Sequence, residues 1–407
     1  MYKIFDFKDS VLYALCFLLI VDLWNTLLFF GSNVLKLQIT TAQVASNSAV
    51  CPPYFQNCLS LYVFNVPPEG YSQNIVLAGI GGLVFLALFF LYKKDFVRFG
   101  YCIAIPLFCK ILIVYVVTYL VPGNYNVLGI FFGLVLLFSI HKIFFLRILM
   151  VSFYLCAAVL KVHSGYLTGT VFSSLALGLP LVPDGVLPYV GIMFLLLCII
   201  PPLCLLSPSK RVRLVALIVL TIFHIYSASV VGQRYVILVL PILWLLFYYK
   251  EEPFVYAKQY LKDWGGMISI TCMILLQCIP LFIQGDERLT GEGYRYGYYM
   301  YDGNHQCVST KKIILHTGET KSLVWENKRA MSSCDPYEEW YKIKRWCDPK
   351  NVKAIEWTYD HSLNGAPYRR IVDVQNACEL TYQPFSHNEW IREDGPIIDT
   401  TVIKNSL

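Results

Sequence analysis

Charged residues are scarce in this chain. Asp, Glu, Lys and Arg make up 15% of its 407 residues, whereas they make up about 25% of an ordinary soluble domain. The sequence has no basic tract with interleaved aromatic residues, so we expect no nucleic-acid partner. It also has no glycine-rich phosphate loop, HExxH motif, paired CxxC site or internal repeat. These absences argue against a P-loop nucleotide site, a metal site and a repeat architecture.

Apolar residues dominate the composition instead. They make up 57% of the chain, and the mean hydropathy of +0.54 indicates a multi-span membrane protein with the lipid bilayer as its partner. The first apolar run has no small-residue cleavage site, so we interpret it as a retained span and not as a signal peptide. Runs of about 20 residues, the length that crosses a bilayer, predict an all-α membrane bundle of about nine transmembrane helices near 11–31, 75–92, 100–121, 126–142, 146–162, 187–206, 212–231, 234–249 and 265–284.

The basic residues predict the orientation of this bundle. One side of the predicted bundle holds Lys3, Lys8 and the basic runs in 93–98, 141–147, 207–213 and 250–262, while loops on the other side hold Lys36 and little else. By the positive-inside rule the N-terminus is cytoplasmic. An odd number of spans then places the chain after about Gly285 on the extracytoplasmic side, in a periplasm, at a cell surface or in a lumen.

The cysteines fit this orientation. Of 14 cysteines, eight lie in or beside apolar spans, and the other six lie on the predicted outer side: Cys51, Cys58, Cys307, Cys334, Cys347 and Cys378. An even set suits disulfides in an oxidising compartment, and free thiols are the alternative in a reducing one. Cys51 and Cys58 are close enough in sequence to pair locally. The pairing of the other four stays open.

Composition changes abruptly after residue 284, where the chain becomes polar and rich in turns. Asp302-Gly303, between 294–301 and 308–315, predicts a hairpin, and Asn364-Gly365, between 353–359 and 368–372, predicts a second one. Thr317-Gly318 marks a further turn. Asp335-Pro336 precedes a helical pattern, YEEWYKIKRW. We therefore predict an extramembrane β-rich domain with one helix.

Residues 152–169, SFYLCAAVLKVHSGYLTG, contain a single lysine at the end of an apolar helix. Lys161 has two interpretations. It is a snorkelling side chain whose ammonium reaches the headgroups, or it is a general base whose amine is desolvated. The segment 170–186 that follows is interrupted by Gly178, Pro180 and Pro183, so we expect a re-entrant or surface-lying piece that covers a cavity over Lys161.

His224 lies within an apolar run, where polar side chains tend to face a cavity. A histidine satisfied by a backbone carbonyl is the commoner explanation. Asp22, Lys110 and Arg234 are further charges in or near predicted spans. They either pair with other polar groups or reach the interface.

The spacing of Lys161, Tyr166 and Gly169 resembles the lysine, aromatic and glycine of the vitamin K-dependent γ-glutamyl carboxylases and their bacterial homologues, the HTTM group. The tail segments GYRYGYYMYDGNHQ, HTGETK and SLNGAPYRRIVD are similar to the extramembrane part of the same proteins. The likeness covers most of the chain. It implies an HTTM-like transmembrane domain over 1–284 and an extracytoplasmic carboxylase-like domain over 285–407.

The resemblance also implies a reaction. In that family a lysine deprotonates reduced vitamin K or another quinol, and oxygen and carbon dioxide are consumed as glutamate side chains are carboxylated. It makes Lys161 the base, with His224 and His163 as supporting catalytic groups and a peptide or protein substrate at the outer domain. The residues that it implies for cofactor binding are Tyr166, Gly169 and, from GNYNVLG at 123–129, Asn124 and Asn126.

Two other hypotheses remain open at this stage. In the first, a non-catalytic family member uses the same scaffold as a membrane receptor, export factor or immunity factor. In the second, the chain is a transporter, which is a weaker hypothesis because the sequence has no visible inverted halves.

Overall fold

The computed structural model describes residues 9–36, 50–56, 71–112, 114–115, 124–173, 179–231, 233–250, 254, 258–299, 303–327 and 334–398. The chain divides into two compact units. Unit 1 comprises Met1–Ala45, Asn57–Val159 and Leu195–Leu275, and unit 2 comprises Ser46–Gln56, Leu160–Phe194 and Leu276–Leu407.

Helices occupy most of the first 290 residues. In chain order, the described α-helices there are α1 (Ser10–Lys36), α2 (Tyr71–Tyr92), α3 (Phe96–Leu112), α4 (Asn124–Phe138), α5 (Lys142–Val159), α6 (Ser164–Leu167), α7 (Thr170–Ser173), α8 (Leu187–Cys204), α9 (Lys210–Val231), α10 (Arg234–Trp244), α11 (Trp264–Phe282) and α12 (Glu287–Thr290). A π-helix over Leu245–Tyr249 continues α10. Short 3₁₀ turns lie at Pro53–Phe55, Asp184–Val186, Lys258–Lys262 and Tyr294–Tyr296.

Four of these helices, α5, α8, α9 and α11, are long and apolar enough to cross a membrane. Lipid offers no hydrogen-bond partners to the backbone, whereas a helix pairs its own N–H and C=O groups. Apolar segments in lipid therefore fold as helices. The prediction of nine full spans is wrong for the described residues. Helices overlap all nine predicted segments, but several are too short for about 30 Å of hydrocarbon; α4 has 15 residues and α10 has 11.

Within unit 1, α1 packs against α2, α4 and the π-helix, and α4 also packs against α3, α5 and α10. The last carbonyls of the π-helix region accept hydrogen bonds from two buried arginines. Arg147 donates to Leu246 O and Lys250 O, and Arg213 donates to Phe247 O. These guanidinium groups cap a helix end whose carbonyls have no intrahelical donor.

Unit 2 contains a five-stranded antiparallel sheet in the order β2-β1-β3-β4-β5. Its strands are β1 (His305–Leu315), β2 (Thr320–Asn327), β3 (Val352–Leu363), β4 (Tyr368–Val374) and β5 (Ile397–Ile398). The prediction of a hairpin from Asn364-Gly365 is confirmed, since both residues have positive φ (56° and 75°) between β3 and β4. The Thr317-Gly318 turn between β1 and β2 is also confirmed.

The first strand of the hairpin predicted at Asp302-Gly303 is wrong over its described residues, while 300–302 lie outside them. Tyr294–Tyr296 forms a 3₁₀ turn and not a strand, and β1 pairs with β2 and β3. Gly293 has a φ of +73° at the start of that turn and sits against Pro280. The tyrosine-rich alternation therefore reflects aromatic packing, as in the stacked pair Tyr294 and Tyr299, and not strand pairing.

Helix α13 (Pro336–Trp346) is the predicted helix of the tail, and it packs on β3. The side chain of Asp335 accepts a hydrogen bond from Tyr337 N and so caps the N-terminus of α13. Disulfides join Cys307 to Cys334 and Cys347 to Cys378, one on either side of this helix. The predicted pair of Cys51 and Cys58 stays a prediction because Cys58 lies outside the described residues.

We predicted that the segment 170–186 does not span the membrane as one helix, and over its described residues it forms no spanning helix. It contains α7 and the 3₁₀ turn Asp184–Val186, while 174–178 lie outside the described residues. Leu181, which is 98% exposed with a φ of +66°, lies between the two.

Candidate functional site

Lys161 lies in unit 2, in the turn directly after α5, and is only 5% exposed. Its Nζ atom is 5.8 Å from the centroid of the buried ring of Tyr166. A snorkelling lysine keeps its ammonium in water, so this burial does not fit the anchor interpretation.

Tyr166 and Gly169 shape the backbone around this lysine. Gly169 has a φ of +75°, and a Cβ there would lie 2.5 Å from the carbonyl of Leu187. A Cβ at Gly191 would lie 2.0 Å from Tyr166 O. Both glycines therefore permit the segment that carries Tyr166 to pack closely against the start of α8.

His163 is two residues beyond Lys161 and precedes α6. Burial, and after it the positive charge of Arg288, lower the pKa of His163 to about 4. The imidazole is therefore neutral at pH 7. Its Nε2 atom is buried and has no hydrogen-bond partner in the part of the chain that the structure describes.

A cleft of about 540 Å³ within unit 2 includes His163 in its wall. Three pieces of chain form the wall, namely the α6–α7 segment, the start of α12 and the β3–β4 hairpin. The polar and charged residues among them are His163, Ser164, Thr168, Thr170, Asp286, Arg288, His361, Asn364 and Arg369.

The two arginines of the cleft differ in their partners. Arg288 donates to Asp286 at 2.8 Å, and Asp286 also caps α12. Arg369 is half-buried, and its side chain has no ion pair or hydrogen bond to any described residue. The adjacent Arg370, by contrast, is bound by Asp360 through two hydrogen bonds of 2.9 and 3.2 Å. Arg369 therefore presents an uncompensated guanidinium to the cleft.

His361 lines the cleft and is paired with a second buried histidine, His305, behind it. His361 Nδ1 lies 2.6 Å from Leu289 O, and His361 Nε2 lies 3.1 Å from His305 Nδ1. A carbonyl can only accept a hydrogen bond, so Nδ1 of His361 carries a proton and donates to Leu289 O. Nε2 of His361 therefore accepts a hydrogen bond from Nδ1–H of His305. Burial lowers the pKa of His305 to about 4 and that of His361 to about 3. Both rings are therefore neutral and fixed in one tautomer each.

Asn364 connects the tip of the β3–β4 hairpin to Asn304, the residue before β1. Its Oδ1 accepts from Asn304 N at 2.8 Å, and its own N–H donates to Asn304 O at 2.8 Å. Its Nδ2 atom lies 2.6 Å from the position that a Cβ of Gly165 would occupy. Gly165 thus allows the hairpin tip to approach α6.

The remaining predicted site residues lie in unit 1. His224 is buried, and its Nε2 is hydrogen-bonded to the hydroxyl of Tyr154, while its Nδ1 has no partner among described residues. Asn126 is buried in α4 with its Oδ1 likewise unpartnered in the described part. Asn124 begins α4. The structure therefore groups Lys161, His163, Tyr166 and Gly169 in one unit and these three residues in the other.

Sequence reasoning missed Arg288, Arg369, His361 and Asn364 as site residues. The NGAPYRR motif at 364–370 was a signal for Asn364 and Arg369, since it marks a hairpin with two adjacent arginines, but it does not include Arg288 or His361. Comparison of the chain with protein-family models, curated proteins and solved structures finds no match.

Proposed function

We propose that this chain is a carboxylase-like integral membrane enzyme that binds a substrate carboxylate in the cleft of unit 2. The observation that carries the proposal is the uncompensated guanidinium of Arg369 in a cleft that also contains the unpartnered Nε2 of His163. A guanidinium offers a planar pair of donors that matches a carboxylate. Lys161 lies two residues from His163 and would act as the base.

The chemistry follows from where these charges lie. In the proposed step, the C–H bond next to the substrate carboxylate breaks and its proton passes to the amine of Lys161. Negative charge grows on the carboxylate oxygens until the carbon bonds to carbon dioxide. Arg369, assisted by Arg288, would stabilise that charge because its donors are fixed before the reaction begins. His163 is neutral at pH 7, so it can exchange a hydrogen bond with the substrate without adding to the positive charge.

The quinol implied by the family resemblance does not fit this cleft. A naphthoquinone needs an apolar slot with few polar groups, whereas charged and hydroxyl side chains line the cleft. No step of the proposal therefore uses a quinol. Reduced vitamin K is included in the experiment below as an added component and as a test of that expectation.

The proposal includes an orientation for the enzyme. The N-terminus and the 250–262 loop are cytoplasmic, and the residues after 285 are extracytoplasmic. The basic loops support this orientation, and the two disulfides of unit 2 suit an oxidising compartment.

The experiment measures incorporation of labelled bicarbonate into a glutamate-containing peptide by the full chain in nanodiscs, with and without reduced vitamin K. We expect incorporation that Lys161→Arg reduces by about 10²- to 10⁴-fold, because a guanidinium cannot act as a base. Lys353→Arg, an exposed position on β3, is the matched control and should retain activity.

A binding arm separates recognition from chemistry. Arg369→Gln should weaken binding of the glutamate peptide by about 10- to 100-fold, the range for a charged hydrogen-bonded pair, while Arg392→Gln, an exposed arginine of the same unit, should not. No incorporation by the wild type, with peptide binding intact, would leave the non-catalytic scaffold, and normal incorporation by Lys161→Arg would remove Lys161 as the base. Unchanged binding in Arg369→Gln would overturn the carboxylate site.

A further inference from the structure

Large apolar side chains are exposed on the chain that follows the α6–α7 wall of the cleft. They belong to Leu181, Val186, Tyr189, Ile192 and Met193, of which Leu181 and Tyr189 are the most exposed, at 98% and 75%. All five residues lie in unit 2, and we call residues 181–193 the apolar segment. Apolar side chains exposed in this number mark a surface that contacts a protein or a membrane. The proposed carboxylate site does not use them.

Leu181 has a backbone conformation that leucine adopts only at a cost. Its φ of +66° is in the left-handed region, where the Cβ of an L-residue lies too close to the following carbonyl oxygen. Packing of its side chain on described residues does not offset this cost, because the residue is almost fully exposed. Contact with a partner would offset it, so we place Leu181 in that contact.

The charge of the surrounding sequence favours lipid as the partner. Asp184 is the only Asp, Glu, Lys or Arg among residues 162–209. A protein partner is recognised through a polar rim that surrounds the apolar centre of the interface, and this stretch offers few charges for such a rim. Hydrocarbon requires only apolar side chains, and charged ones are costly in it. The apolar segment therefore suits a bilayer better than a protein.

Chain connectivity places the apolar segment at a membrane surface. Residues 160–186 join two candidate spans, since α5 ends at Val159 and α8 begins at Leu187. The 18 residues of α8 extend about 27 Å at about 1.5 Å per residue, close to the hydrocarbon thickness of about 30 Å. Leu187 therefore lies near one boundary of the hydrocarbon. The basic run at 207–213 follows the other end of α8, which makes the Leu187 end extracytoplasmic.

The α6 wall of the cleft packs directly on the first turns of α8. A Cβ at Gly191 would lie 2.0 Å from Tyr166 O, so the two backbones are in contact. Ser164 and Thr168, at either end of α6, line the cleft, whereas Leu167 between them is exposed and apolar. A helix with its side chains is about 10–12 Å across, so the cleft lies about one helix width from the exposed side of α8.

We propose that the apolar segment inserts into the extracytoplasmic leaflet and so holds the cleft at the membrane surface. Leu181 and Tyr189 enter the boundary between headgroups and acyl chains, where tyrosine is enriched. The α6 wall lies at headgroup level beside them. The cleft therefore takes its carboxylate from a glutamate-containing peptide that is attached to the same membrane, a conclusion that rests on the proposed carboxylate site.

Insertion is measured with an NBD fluorophore on Leu181→Cys in the full chain, reconstituted in liposomes that contain lipid with a nitroxide near the top of its acyl chain. We expect quenching by the nitroxide and a blue-shifted emission at position 181, and neither at Lys353→Cys, which is exposed on β3 of the same unit. Labelled wild type corrects for the native free thiols. Equal quenching at the two positions would overturn insertion.

The same probe distinguishes lipid from protein as the partner. Iodide in the aqueous phase should not reach position 181 in liposomes that contain only this protein. A probe that iodide reaches in such liposomes, but not in native membranes, would assign the apolar segment to a protein partner and would overturn the proposal.

Leu181→Asn separates a loss of insertion from a loss of folding. Asparagine adopts the left-handed conformation more readily than leucine does, so the backbone of the segment is retained while the side chain becomes polar. Quenching of NBD on Val186→Cys should fall in Leu181→Asn and should stay unchanged in Leu181→Met, the matched apolar control. Unchanged quenching in Leu181→Asn would show that Leu181 is no anchor and would overturn the proposal.

A molecular ruler tests the substrate. The glutamate peptide is attached to a phospholipid by a linker of about 2 or about 20 residues, which reach at most about 7 and about 70 Å. Both attached peptides should bind the full chain in liposomes at about 10²- to 10⁴-fold lower bulk concentration than the free peptide, because attachment raises the effective concentration at the surface. Binding of the long-linker peptide alone would place the cleft away from the membrane and would overturn the proposal.

The insertion and the proposed carboxylate site fail separately. If the free peptide does not bind in detergent while the probe at position 181 is quenched, the carboxylate site and the substrate part of this inference are overturned, and the insertion is supported. If the free peptide binds while the probe at position 181 stays in water, the insertion is overturned and the carboxylate site is supported.

Discussion

Lys110 Nζ lies 2.6 Å from Asp22 Oδ2, and both side chains are at least 95% buried within unit 1. Lys110 is on α3 and Asp22 is on α1. Charges inside an apolar bundle are costly unless they are paired. The pair therefore fixes the relative register of these two helices.

Removing one partner of this pair should destabilise the protein strongly. We expect Asp22→Asn or Lys110→Met to lower the free energy of unfolding by about 3–5 kcal/mol, because each leaves an uncompensated buried group. The double change Asp22→Leu with Lys110→Met should recover most of the loss. Thermal unfolding in detergent measures the effect, and a double variant as unstable as the singles would contradict the explanation.

Gly129→Ala should disturb the same pair from a third helix. A Cβ at Gly129 on α4 would lie 2.3 Å from Asp22 Oδ2, so the carboxylate would have to leave its position beside Lys110. We expect a loss of about 1–3 kcal/mol. Gly82→Ala on α2, where a Cβ meets nothing within 4 Å, should instead be neutral or stabilising by up to about 1 kcal/mol.

Gly165→Ala should distort the cleft of unit 2. Its Cβ would displace Asn364, whose side chain fixes the hairpin tip to Asn304. Peptide binding in the cleft should weaken, as measured by calorimetry. Gly185→Ala, with open space around it, is the control, and equal binding by both variants would show that the hairpin tip does not shape the cleft.

Acid should destabilise unit 2 through the His305 and His361 pair. Burial lowers the pKa of His305 to about 4 and that of His361 to about 3, from 6.5. Below pH 6.5 the unfolded chain therefore binds more protons than the folded chain does. The contribution of the two neutral histidines to the free energy of unfolding is present above pH 6.5 and is lost as the pH falls toward 3.

Tryptophan fluorescence during denaturant unfolding at pH 7, 5.5 and 4.5 measures this loss. His361→Gln is the informative variant, because glutamine does not titrate. It should be less stable than wild type at pH 7 but should show a shallower decline between pH 7 and 4.5. Parallel declines in the two proteins would assign the acid sensitivity to other groups.

Topology is testable by labelling introduced cysteines in intact cells. We expect Lys353→Cys, on exposed β3, to react with an impermeant maleimide, and Lys258→Cys, in the loop before α11, to react only after permeabilisation. The reason for this expectation is that loops rich in Lys and Arg stay on the cytoplasmic side of a membrane. The reverse pattern would place the tail in the cytoplasm.

Local signals in the sequence predicted local structure well. Asn364-Gly365 predicted its hairpin because few other residue pairs adopt positive φ at both positions. Asp335-Pro336 predicted the start of α13 because the carboxylate caps the first turn and proline suits its first position. Apolar runs predicted helices, but not their lengths, because hydropathy does not indicate where a helix ends inside an apolar stretch.

The candidate site was predicted less well because it depends on distant contacts. Lys161 and His163 were visible as polar residues after an apolar helix. Arg369 and His361 line the cleft with His163 across about 200 residues of sequence, and no local pattern indicates such a contact. The grouping of 160–194 with the C-terminal residues is a tertiary property that composition did not reveal.

The two disulfides of unit 2 close loops that follow one another along the chain. The first ends at Cys334 and the second begins at Cys347, so neither loop encloses or threads the other. In the proposed orientation, the first bridge can therefore form as soon as Cys334 reaches the extracytoplasmic side, before β3 and β4 arrive there. The two described bridges join the four cysteines in chain order, the first to the second and the third to the fourth. Oxidation in order of arrival would therefore give this pairing without an isomerase to correct it.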